Sequence, residues 1–307
     1  MTSDPSRQDA GLGAPLSAAR STPAGSLLAY FSLTYAVAWT CFIVAAALLS
    51  SASGVPALRG IRWLFFLPGV FAPSLAAVGL TARTEGSAGV RALLHRVVEW
   101  RVGKRWFVFA AGYMAAIKLA VALLDRVITG AWPRFGHEAW YVIAGAIVIS
   151  TPFQAGEEVG WRGYALPRLA ARFGFAGASI LLGLIWACWH LPLFFIPGAG
   201  TYGQPFFVFV LEVTALSVAI AWLYVHTNGS LLLPMLMHAA VNNSKDIVPS
   251  AVPGAMNTFG LSTSFVAWLT VAVLWVCAAY FLVRMPKAES QRGGRKTSDI
   301  GSDVPIA

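Results

Sequence analysis

Residues 27–50 hold no charged side chain, and similar apolar runs return at 63–82, 106–124, 139–156, 175–197, 206–224, 229–244 and 259–283. A helix needs about 20 largely apolar residues to cross the hydrocarbon core of a bilayer, so runs of this length and number demand a membrane. The predicted fold is therefore all-α, a polytopic bundle of about eight transmembrane helices. Pro68 and Pro73 imply a kink in the second span, which neighbouring helices must help to satisfy. Composition agrees: 57% of residues are hydrophobic and 11% charged, whereas about a quarter are charged in a soluble domain.

The net charge of +9 does not indicate nucleic acid, because the basic residues stand beside apolar runs instead of forming a face interleaved with stacking aromatics. Arg83, Arg91, Arg96, Arg101, Lys104 and Arg105 gather between the second and third runs, which places that loop in the cytoplasm. Alternation then puts both termini and the Arg162, Arg168 and Arg172 connection inside, and the uncharged 196–205 loop outside. Within the basic loop Val90, Leu93, Leu94, Val97 and Val98 recur at helical spacing, consistent with an interfacial helix or an amphipathic linker. Trp63, Trp106, Trp140, Trp222 and Tyr224 fall at span ends as expected interface anchors. Residues 1–26 and 285–307 are polar, small-residue-rich tails predicted to be disordered and cytosolic, flanking one membrane domain at 27–284. Cys41, Cys188 and Cys277 lie singly in separate runs, so neither a disulfide framework nor a zinc knuckle is supported and a packing role is expected. No internal repeat is visible, which argues against a transporter built from two related halves.

Against this background the carboxylates at Glu157 and Glu158 stand out, with Arg162 four residues past the second. Ionisable groups in apolar segments cost free energy unless paired or facing a wet cavity, and so point to function. Two further polar sets follow: Trp186 with His190, and His238 with Asn242. Residues four apart share a helix face, so Glu158 reaches Arg162, Trp186 packs beside His190, and His238 projects with Asn242. Adjacent Glu157 and Glu158 diverge by about 100° around the helix, so one is expected to act in chemistry and the other in structure. If the fourth and fifth spans form an antiparallel hairpin, Glu157 and His190 are equidistant from a turn at Phe173 and Gly174 and lie level.

The ordered set E-E-x-x-x-R (Glu157, Glu158, Arg162), aromatic-x-x-x-H (Trp186, His190) and H-x-x-x-N (His238, Asn242), spread over residues 149–244, resembles the CPBP family of intramembrane proteases. That family includes type II CAAX prenyl endopeptidases and bacteriocin-processing or self-immunity proteins. Trp186 departs from it, since the family pattern usually has Phe there. The resemblance implies a multi-pass protease of the cell membrane that hydrolyses a membrane-associated protein or peptide substrate, prenylated in some relatives, at a site open to the cytoplasm.

Peptide hydrolysis needs an activated water and a group to stabilise the oxyanion. On these residues Glu157 is the general base, His190 orients the same water, His238 and Asn242 donate to the oxyanion, and Glu158 with Arg162 holds the helix register. The alternative makes His190, His238 and Glu157 ligands of a divalent metal, zinc with an open position for water. Blander roles also exist: Asn242 or Asn243 as interhelical glue, and Lys118 with Glu212 as a buried pair or cavity lining. A non-catalytic immunity or scaffold protein acting by binding, and a transporter, are the competing function classes.

Overall fold

The structure, a computed structural model, describes residues 24–51 and 56–286, and every regular element in them is helical. Most of the predicted tails at 1–26 and 285–307 lies outside the described residues. In chain order the helices are α1 (Ala24–Ser51), α2 (Pro56–His95), α3 (Lys104–Thr129), α4 (Trp140–Ser150), α5 (Ala155–Glu158), α6 (Leu166–Trp189), α7 (Phe206–His226), α8 (Leu232–Ser244) and α9 (Phe265–Arg284). Among the described residues six helical tracts are long and apolar enough to cross a membrane. The protein is a multi-pass membrane protein.

The difference from eight predicted spans has two causes. The tract Trp140–Phe195 counts as one but contains two predicted spans, joined through Gly174, whose φ of 67° breaks the helix inside α6. Residues with a β-carbon avoid that left-handed region, so glycine is what lets the chain turn there. The predicted span at 229–244 folds as α8, only 13 residues long and short of a bilayer's thickness at about 1.5 Å per residue. The last helix begins at Phe265 and not at residue 259, leaving Phe259 and Leu261 as exposed loop residues.

The predicted interfacial helix is continuous with α2, which bends at Gly86 and runs on to His95. Arg96 just beyond it ties three segments together: its guanidinium donates to the Gly229 carbonyl at 2.8 Å, to the Gly163 carbonyl at 3.4 Å and to the Tyr224 hydroxyl. Tyr224 is thus fully buried and not the interface anchor expected of it, because an arginine partner draws its hydroxyl inward. Trp63 and Trp140 stay exposed, as anchors should. Cys188 is exposed, so the packing role expected of it does not hold.

Between α5 and α6 the helix widens into a π-helical turn, Val159–Ala165, all of it buried. Such widened turns recur at functional sites, since the extra residue rotates side chains off the regular helix face. Its backbone packs directly on α2: a β-carbon on Gly160 would lie 2.5 Å from the Pro73 carbonyl group. Gly160→Ala is therefore expected to destabilise the bundle by about 1–3 kcal/mol through overpacking. Gly79→Ala, with nothing near its position, serves as the control. Thermal unfolding in detergent checks both, and an unchanged melting temperature for Gly160→Ala would show that α2 can yield.

Candidate active site

The hairpin around Gly174 brings Glu157 and Trp186, 29 positions apart, into contact: the Trp186 indole N–H donates to Glu157 Oε2 at 2.7 Å. A second indole, Trp161 in the π-helical turn, donates to the same oxygen at 3.3 Å. Two N–H groups thus fix this carboxylate, which retains 7% of its exposure. Glu158, fully buried, points elsewhere. Its Oε1 accepts from Arg162 Nη1 at 2.7 Å and lies 2.8 Å from His238 Nδ1. The two adjacent carboxylates, offset by roughly 100° around the helix, thus meet different partners.

The Arg162 guanidinium also lies over the Trp186 ring, 4.5 Å from its centroid, a cation–π contact worth more in a dry setting than in water. The Trp186 ring in turn packs edge-on against His238 at 5.1 Å and beside His190 at 5.8 Å. It is therefore the piece that joins all three motifs: its N–H holds Glu157, one face carries Arg162, and both histidines flank it. A phenylalanine here would keep the ring contacts and lose the N–H.

His190 caps the end of α6, its Nδ1 2.8 Å from the Trp186 carbonyl oxygen. That carbonyl can only accept, so the proton is on Nδ1, and Nε2 of the neutral ring keeps its lone pair. The ring is partly exposed and within electrostatic reach of both Glu157 and His238. Asn242 lies one turn beyond His238 on α8 with its side chain exposed. Asn243 is the interhelical tie, donating to Ser150 Oγ at 2.9 Å and to the Ala239 carbonyl at 2.8 Å.

The donors suggested for a metal do not fit one in this arrangement. Among the described residues no three His, Cys, Asp or Glu side chains converge. His238 Nδ1 meets Glu158 and His190 Nδ1 meets the Trp186 carbonyl, which leaves Nε2 of each ring free.

Sequence reasoning missed Trp161, although its place four residues after Glu157 was a usable signal. It also missed the salt bridge from Arg168 Nη2 to Glu85 at 2.8 Å, which fastens α2 to the start of α6. No periodicity announces that pair.

In a bundle of membrane-spanning helices the structure thus holds the Glu157 carboxylate on two indoles within electrostatic reach of His190, with His238 on Glu158. Residues 136–244 match the family described as Type II CAAX prenyl endopeptidase Rce1-like. Over 239 residues the chain is 26% identical to CAAX prenyl protease 2 of Methanococcus maripaludis, an overlap of 71% of this chain and 83% of that protein. Both likenesses are to CAAX-type endopeptidases, in keeping with the resemblance carried by the three motifs, and they indicate a protease.

Proposed function

We propose that the protein hydrolyses a peptide bond of a membrane-associated protein or peptide, CAAX-like in the manner its relatives' names indicate, with water activated by Glu157 and His190. The observation that carries this reading is the Trp186 N–H bond to Glu157, because it sets the carboxylate of one motif level with the imidazole of the next. Glu157 removes a proton from the water while the lone pair on His190 Nε2 accepts its other hydrogen, and the water oxygen adds to the scissile carbonyl carbon. The C–N bond then breaks, and the proton taken from water passes to the leaving nitrogen.

His238 presents Nε2 to the oxyanion. With Nδ1 donating to Glu158, Nε2 is the ring atom left to face the oxyanion, and it donates there when the ring is the imidazolium. Asn242, a turn further on, supplies an amide donor that needs no protonation. Access is from the cytoplasmic side, in keeping with the positive-inside distribution of arginines.

Membrane-protein termini compared between cells carrying the native protein and cells carrying Glu157→Gln test the assignment. New termini confined to the native cells are expected; identical termini would favour action by binding alone. Because the donor set does not converge, cleavage is expected to persist in a strong chelator such as EDTA. Loss of activity on chelation, with recovery on adding zinc, would restore the metal-assisted route.

A further inference from the structure

The carbonyls that close a helix have no partner within it and must find one elsewhere. At the end of α6 the local sequence denies one of them a neighbour. Trp189 is the last residue of that helix. Pro192, three positions on, has no N–H to give, and the N–H of Leu193, four positions on, goes to the His190 carbonyl at 2.9 Å. The donor that reaches the Trp189 carbonyl comes instead from α1, where the Trp39 indole N–H lies 3.0 Å away. One turn earlier on α1, the Tyr35 hydroxyl donates to the Ile185 carbonyl.

The Trp189 side chain carries this hold into the site. It is 1% exposed, packs against Phe42 of α1 at 5.3 Å and lies edge-on to the His190 ring at 4.8 Å. It also meets Trp161 at 6.0 Å, the indole that donates to Glu157, and Trp161 is itself backed by Tyr30 of α1 at 6.0 Å. Trp186, Trp189 and Phe209 thus surround the His190 imidazole with rings, while its Nδ1 is fixed on the Trp186 carbonyl within the same last turn. That bond lasts only while the turn keeps its shape. A buried Trp189 carbonyl without its donor would cost about as much as a lost hydrogen bond, and the turn would shift to find another, drawing the Trp186 carbonyl away from Nδ1.

We infer that Trp39 is a positioning residue for the reaction. Through the Trp189 carbonyl it holds the end of α6 in the shape that keeps the His190 proton on Nδ1 and leaves the Nε2 lone pair to the water. Trp39 touches no reacting atom. The inference rests on the hydrolytic reading of His190, and it gives the first helix, which lies outside the matched residues 136–244, a part in that chemistry.

Trp39→Phe tests it, because the variant keeps a ring and removes the N–H. The readout is NMR of isotope-labelled histidine in the full chain in nanodiscs, with the His190 signal identified by its loss in His190→Gln. The native neutral ring is expected to carry its proton on Nδ1 alone. In Trp39→Phe both tautomers are expected, with KM unchanged and kcat lowered about tenfold, inside the ~10²-fold that a misplacement of about 1 Å can cost. Replacing Pro192 with Ala supplies an N–H three residues past Trp189, the spacing of the 3₁₀ turn that already runs over Leu191–Phe195. The double variant Trp39→Phe with Pro192→Ala is therefore expected to regain the single tautomer and most of the rate. Leu274→Ala, buried on α9, controls for instability and should lower the melting temperature without moving the tautomer. A single tautomer retained in Trp39→Phe, a tautomer that moves with no change in kcat, the same shift in Leu274→Ala, or no recovery in the double variant would overturn the positioning role. If Trp39→Phe does not fold, a double variant that folds with the single tautomer supports the role, and failure of both overturns it. If the tautomer responds as expected in a protein that cleaves nothing, Trp39 still orients the ring and the hydrolytic reading falls.

Discussion

Replacing Glu157 with Gln is expected to lower peptide cleavage by roughly 10²–10⁴-fold, the range for loss of a positioned general base, while leaving the fold intact. The amide oxygen of glutamine can still accept the N–H groups of Trp186 and Trp161 that Glu157 Oε2 accepts now, so packing and hydrogen bonding change little. What disappears is a group able to take a proton from water. The comparison calls for purified protein in lipid, with initial rates measured beside a thermal unfolding curve. A variant that melts like the native protein and cleaves at the native rate would exclude Glu157 as the base. Trp186→Phe isolates the positioning effect: a fall in rate smaller than that of Glu157→Gln, with the base still present but held by Trp161 alone.

The largest loss of stability is expected from Arg162→Met. Arg162 and Glu158 are both fully buried and joined at 2.7 Å, and removing one partner of such a pair costs about 3–5 kcal/mol because the other charge is left uncompensated. The guanidinium also packs on Trp186, so the variant loosens the ring that holds Glu157. The double variant Arg162→Met with Glu158→Gln is expected to recover much of the stability, since no buried charge remains unpaired. Its activity should stay low, because His238 loses the carboxylate that orients it. Unfolding in graded SDS separates the two effects. Equal stability of single and double variants would mean that the pair does not act as a unit, and native stability of Arg162→Met would mean that the site is wetter than its burial implies.

Much of the site was legible because the helix imposes short, regular spacings. The four-residue steps from Glu158 to Arg162 and from Trp186 to His190 became a 2.7 Å ion pair and a ring contact. The equidistance of Glu157 and His190 from Gly174 located the hairpin, whose break at φ 67° falls at that glycine. Two features escaped this logic. The widened turn at Val159–Ala165 leaves no mark in hydropathy, since its backbone shift depends on the fit of Gly160 against Pro73. A cavity beside Phe209 draws Glu212, Lys245 and Ser250 from separate segments, and no local pattern relates them.

Sequence alone determined that the chain is a membrane-embedded bundle of helices, with a carboxylate pair and two histidines as its unusual contents. Length, apolarity and charge are properties of each segment by itself, and the bilayer acts on each segment separately. Tertiary structure alone decided that Glu157 is gripped by two indoles, that Glu158 joins Arg162 to His238, and that α8 is too short to cross on its own. Those outcomes depend on which helix faces meet. Between helices in lipid that choice rests on close packing and the pairing of buried polar groups, interactions between residues far apart in the chain.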